Sequence, residues 1–195
     1  MSNTGTLIDY KQYFKQGYTW EAYLERFRTE MESEDSPYSQ YLPQNWRRQA
    51  RLARKTQLNE DLKSMIAEIK EPLNWLVITE HWCGDASQIN PILHRAAEES
   101  GGKINLRFVY RDENEALIDA HLTDGRSRSI PIVLQLDSNY KILASYGPRP
   151  EEAQKLVKSI LAEGGNYSLP LHSWYAQNKQ TSINQDLVSL LKQAS

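Results

Sequence analysis

From Leu73 to Thr79 the chain reads Leu-Asn-Trp-Leu-Val-Ile-Thr. The run is too short for a helix of its own and rich in β-branched and aromatic residues, which predicts a buried strand over about Trp75–Thr79. Beyond it, apolar positions Ile89, Ile92, Leu93 and Ala96 recur at helical spacing. They predict a helix from about Cys83 to Glu99, stopped by Ser100-Gly101-Gly102. Ile104 to Tyr110 reads as a second strand. Asn114 then caps a short helix carrying Leu117, Ile118 and His121, ended by Thr123-Asp124-Gly125. Ile132–Leu136 and Ile142–Tyr146 flank the turn Asp137-Ser138-Asn139, a hairpin signal. A helix over Glu151–Glu163 follows, with Leu156, Val157, Ile160 and Leu161 expected inward. Strands alternating with helices in this order predict an α/β fold, a central mixed β-sheet flanked by helices.

The flanks read differently. Trp20, Tyr23, Leu24 and Phe27 share one helical face behind the candidate cap Thr19. Ser33 to Pro43, with two prolines and many small polar residues, reads as a loop, after which Asn45 opens a second helix through Trp46, Ala50, Leu52 and Ala53. Its cluster Arg47, Arg48, Arg51, Arg54 and Lys55 reads as a solvated face, with anion binding as the alternative. Leu58, Leu62, Met65, Ile66 and Ile69 predict a core-facing helix just before the first strand. After Gly164 come a loop, the segment Leu171–Tyr175 and a helix over Ile183–Lys192. The expected organisation is a helical N-terminal extension (1–57), a central domain (58–163), and a C-terminal loop and helix packing on that domain (164–195).

Composition narrows the function classes. Lys and Arg number 23 against 25 Asp and Glu, a net charge of −2, which gives no basic excess for nucleic acid or an anionic membrane. The first ten residues lack a basic start followed by an apolar run, so no signal peptide is expected, and no segment approaches a membrane span. These features predict a cytoplasmic protein. A single cysteine excludes an intrachain disulfide framework, and without a spaced His pair no metal site is expected.

That cysteine sits where a strand hands over to a helix. There the unpaired N–H groups and the positive end of the helix dipole favour a thiolate, so an exposed, reactive thiol of lowered pKa is expected. A protonated His81 would favour the charged form, and Glu80 or Asp85 would oppose it. The run Trp82-Cys83-Gly84-Asp85-Ala86-Ser87-Gln88-Ile89-Asn90-Pro91-Ile92-Leu93 resembles the active-site turn and helix of the thioredoxin family, with Pro91 at the helix-kinking proline. Ser129-Ile130-Pro131 resembles the family's cis-proline segment. The sequence departs from the dithiol pattern at Ala86, where the second cysteine would stand, and at Val77, where thioredoxins carry a buried Asp.

The resemblance implies a thioredoxin-like fold with Cys83 as the catalytic thiol, and Trp82, Gly84, Asp85, Ser129, Ile130 and Pro131 as the binding surface around it. Without a resolving thiol, the implied chemistry is monothiol thiol–disulfide exchange with protein or small-molecule thiols and disulfides. It needs no cofactor beyond a resolving thiol such as glutathione; Arg126 and Arg128 read as exposed loop arginines that bind nothing specific, with the carboxylate of such a thiol as the alternative partner. The alternative is a non-catalytic binding or scaffold module. Its interface would use Trp20, Tyr23, Trp46, Trp174 and Tyr175, because aromatic residues concentrate at interface centres. His94, His121 and His172 read as ordinary, unclustered histidines. The oligomeric state is left open.

Overall fold

The computed structural model describes residues 7–33 and 37–193. Positions 1–6, which begin the stretch expected to lack a leader, and positions 34–36 of the expected loop lie outside the described residues, as do 194–195. Strand β1 (Leu73–Thr79) is the axis of the molecule, and all seven of its residues are buried. Trp75 and Val77 enter the core on one face of the sheet, while Leu76 and Ile78 enter the core on the other. A strand covered on both faces needs no polar alternation, which is why it reads as one apolar run. β2 (Ile104–Tyr110) lies parallel to β1, β3 (Ile132–Leu136) antiparallel to it, and β4 (Ile142–Tyr146) antiparallel to β3. The sheet order is β2-β1-β3-β4, the expected mixed sheet.

Helix α1 (Tyr10–Gln16) precedes α2 (Trp20–Glu32), α3 (Leu42–Lys55) and α4 (Glu60–Glu68). The crossover from β1 to β2 is α5 (Gly84–Glu99), with Ile89, Ile92, Leu93 and Ala96 buried against the sheet. Its end is closed by Ser100, whose hydroxyl accepts from the Ile104 N–H at 2.9 Å. α6 (Glu115–Asp119), α7 (Glu151–Ala162), α8 (Ser168–Asn178) and α9 (Thr181–Lys192) complete the chain.

Several expectations need correction. α1 was not foreseen. α3 opens at Leu42 rather than Asn45, with Pro43 in its first turn; proline lacks an N–H that the first turn leaves unpaired anyway, so it starts a helix as readily as it breaks one. His121 lies past the end of α6, and Asn114 stands at the N-cap as expected, but its side chain donates to the Tyr110 carbonyl at 2.7 Å and makes no capping bond. On α7, Leu161 points to solvent at 54 % exposure.

The aromatic residues of α2 are not interface anchors. Trp20, Tyr23 and Phe27 are buried in the chain's own core, with Tyr23 stacked on Phe108 at 4.7 Å. The C-terminal segment is equally internal. Gln135, fully buried in β3, accepts from Trp75 Nε1 at 3.0 Å and donates to the Leu190 carbonyl of α9 at 2.8 Å.

Candidate functional site

The turn from β1 into α5 places Cys83 at the N-cap of the helix. Its Sγ accepts from the Ala86 N–H at 3.4 Å and donates to the Ile130 carbonyl at 3.3 Å. The Ile130–Pro131 bond is cis. Cys83 is thus brought against Ile130, 47 residues away in sequence and next to the cis Pro131. Ser129 stands at the edge, and its hydroxyl is engaged with that of Ser127 at 2.7 Å. Gly147, at positive φ before a second cis proline, Pro148, closes on the same segment. A Cβ there would lie 2.1 Å from the Pro131 carbonyl oxygen, so no other residue fits.

The thiol is not the exposed, acidic one expected. Cys83 is only 7 % exposed, and burial, with Asp85 beside it, pushes its pKa up to about 12. The helix N-terminus acts in the foreseen direction, through the backbone N–H groups of Ala86 and Asp85, and Arg149 adds to it. Desolvation outweighs both, because a buried thiolate loses water that two weak donors do not replace.

Upstream of the thiol, His81 is turned away from it. Burial lowers its pKa, so the ring is neutral; Nδ1–H donates to Glu30 Oε2 at 2.5 Å and Nε2 accepts from the Tyr110 hydroxyl at 2.9 Å. The ring stacks on Phe27 at 4.2 Å, and the His81 carbonyl accepts from Asn45 Nδ2 at 3.1 Å. Glu80, buried and accepting from the Asp112 N–H at 2.9 Å, has its pKa raised to about 7 by desolvation.

Downstream, Asp85 is buried and salt-bridged to Arg149 at 2.6 Å, while the Tyr175 hydroxyl of α8 donates to its other oxygen at 2.5 Å. His172, also on α8, lies over Gly84. A Cβ on Gly84 would meet its Cε1 at 2.9 Å, and burial lowers the His172 pKa to about 4. Trp82 is sandwiched between Tyr38, at 4.6 Å, and the Arg111 guanidinium, at 4.7 Å.

Arg149, Arg111 and Tyr38 were missed by sequence reasoning, and His172 and Tyr175 were assigned no part in the site. Only Gly84, the one residue without a side chain beside the thiol, hinted at a close neighbour. Arg128, for which the carboxylate of glutathione was the alternative partner, is already held by Asp119 and Glu115. Trp46 and Trp174 are half-buried, so of the five aromatics expected at an interface none is fully exposed.

The thioredoxin family model matches residues 31–162, two thirds of the chain, including Cys83 and the Ile130–Pro131 segment but not Glu30, His172 or Tyr175. The chain belongs to the thioredoxin family. Among curated proteins it is 30 % identical to a thioredoxin of Bacillus subtilis over 100 residues, covering 51 % of this chain and 92 % of that one. It is 38 % identical to a ribonuclease 3 of Aliarcobacter butzleri over 79 residues, covering 40 % of this chain but only 30 % of that protein. Two solved structures share the fold over nearly the full chain. One is a protein of unknown function from Pseudomonas aeruginosa (TM-score 0.69, 19 % identity, 97 % of this chain and 100 % of that one). The other is an HIV epitope-scaffold (TM-score 0.71, 18 % identity, 96 % and 100 %).

Within this thioredoxin-family site, Ala86 offers only its N–H to the thiol, and Val77 is fully buried in the sheet. Among the described residues, no cluster of three or more His, Cys, Asp or Glu side chains is arranged to hold a metal, and no helix is long and apolar enough to cross a membrane.

Proposed function

We infer that this protein carries out monothiol thiol–disulfide exchange through Cys83. The observation that supports the reading best is the position of Sγ, within reach of both the Ala86 N–H of α5 and the Ile130 carbonyl before the cis proline. A partner disulfide R–S–S–R′ is attacked by Cys83 Sγ, forming Cys83–S–S–R and expelling R′–S⁻, which takes up the proton the thiol gave up. An external thiol then attacks the R sulfur, forming a new disulfide with R and returning Cys83 to the thiol. Trp82, Gly84, Asp85 and the Ser129–Pro131 segment border the approach of the partner. The second step calls for a low-molecular-weight thiol such as glutathione, hence a reducing compartment such as the cytoplasm.

The thiol's raised pKa makes exchange slow at neutral pH until a partner changes the environment of the sulfur. That same burial favours a second reading, a thioredoxin fold kept for binding with an inert cysteine. The test is the pH dependence of Cys83 alkylation by iodoacetamide, read by intact mass, beside capture of an aromatic disulfide reporter by the native chain and by Cys83→Ser. Capture by the native chain alone supports exchange. Modification only after denaturation, with equal behaviour of the two proteins, leaves the binding module.

A further inference from the structure

Helix α3 carries a row of cations that form no ion pair with any described residue. At about 100° per residue, Arg47, Arg48, Arg51, Arg54 and Lys55 fall within an arc of roughly 120°, while Asn45, Gln49 and Leu52 on the other side are buried. All but the half-buried Arg48 are exposed. Among the described residues none of the five is in an ion pair, whereas Arg26, Arg28, Arg95, Arg128 and Arg149 each pair with a carboxylate. The row also repels itself: burial lowers the pKa of Arg48, and the neighbouring Arg51 charge lowers it further.

The row begins near the turn that carries the thiol. Asn45 ties the start of α3 to the carbonyl of His81, and Arg48 is close enough to depress the pKa of His172, the ring lying over Gly84. From there α3 runs along α5, where the Ala53 carbonyl accepts from Arg95 at 3.2 Å.

We propose that this row is a docking surface for an acidic polypeptide segment flanking the reacting cysteine of a partner protein; this rests on the exchange reading above. Residues 47 to 55 rise by about 12 Å, the length of about four residues of extended chain. The site therefore suits a short acidic stretch. An extended polyanion is a poorer fit: the chain's net charge is −2 even with this row included, so a nucleic acid or an anionic bilayer reaching past α3 meets an acidic surplus. Uncompensated exposed charges steer encounter and fix which partner is accepted more than they add raw affinity.

The experiment uses the native chain and three labelled peptides that carry a serine followed by four acidic, four neutral or four basic residues, with binding read by fluorescence anisotropy at low and high salt. The acidic peptide is expected to bind at least about 10-fold more tightly than the other two at low salt, with the difference lost in high salt. Arg47→Gln/Arg51→Gln/Arg54→Gln and the corresponding Glu variants, all at exposed positions, are expected to abolish the preference stepwise. Equal binding of the acidic and neutral peptides overturns the proposal, as does a preference for duplex RNA or anionic vesicles over the acidic peptide, or self-association through α3.

A second arm replaces the serine with a cysteine in an activated disulfide and follows capture by Cys83. If the acidic peptide binds but is never captured, the docking surface stands and monothiol exchange falls. If all three peptides are captured at equal rates, the exchange stands and the docking surface falls.

Discussion

The two polar clusters on either side of Cys83 have similar ingredients and opposite consequences. Upstream, Glu30, His81 and Tyr110 form a chain of hydrogen bonds around a neutral ring stacked on Phe27. Downstream, Arg149, Asp85 and Tyr175 form a chain around a buried carboxylate. Only the second acts on the sulfur: Asp85 raises the thiol pKa and Arg149 lowers it, while His81 is turned toward α2. Adjacency in sequence to a cysteine therefore says little about electrostatic influence on it. The direction of the side chain and the burial of its partner decide.

The largest expected effect comes from breaking the downstream pair. Arg149→Met leaves Asp85 buried with only Tyr175 for support, and a loss of about 3–5 kcal/mol in urea unfolding is expected. A loss below about 1 kcal/mol would show that the pair is solvated.

Next is a pH effect upstream. Glu80 titrates near 7 in the folded chain against an ordinary value of 4.5, so between those values the folded state holds a proton that the unfolded state has released. Its contribution thus declines as pH rises through that window, by up to about 3 kcal/mol in total. Glu80→Gln removes the dependence. The stability difference between native chain and variant, measured at pH 4.5 and 7.5, is expected to shift against the native chain; a constant difference would mean that Glu80 titrates at the same pH folded and unfolded.

His81→Phe separates structure from chemistry. It keeps the stack on Phe27 but strands Glu30 and Tyr110, for an expected loss of about 2 kcal/mol, with the alkylation pH profile of Cys83 unchanged. A shifted profile would erase the contrast between the clusters. The smallest effect is expected of Asp85→Asn, which keeps one oxygen to accept from Arg149 and presents an amide N–H that the Tyr175 hydroxyl can accept, while removing the charge next to sulfur. Alkylation of Cys83 at pH 8 is expected to accelerate about tenfold, equivalent to about one pKa unit. No acceleration would assign the high pKa to desolvation alone.

The four strands and α5 were legible in the sequence, while the meeting of Cys83 with the Ile130–Pro131 segment was implied only by the family resemblance. A strand buried on both faces, a helix with one apolar face, and a cysteine at the junction are all local patterns. α8 was not legible. Pro170 stands in its first turn, and its apolar residues do not share one face, since Leu169 is 77 % exposed while Leu171 and Tyr175 are buried. α8 is nonetheless the element that brings His172 and Tyr175 to the site. The role of Arg149, just past β4, was hidden because its partner Asp85 is 64 positions away.

The sequence by itself determined the order of strands and helices from β1 to α7, the family and the absence of a second thiol, because periodicity, turn chemistry and residue identity are properties of neighbours along the chain. Only the tertiary structure decided the state of that thiol. Whether a sulfur at a helix N-terminus is ionised depends on how much water reaches it and which charges face it. Here burial and Asp85, set by contacts that cross the chain, outweigh the helix end that the local sequence provides.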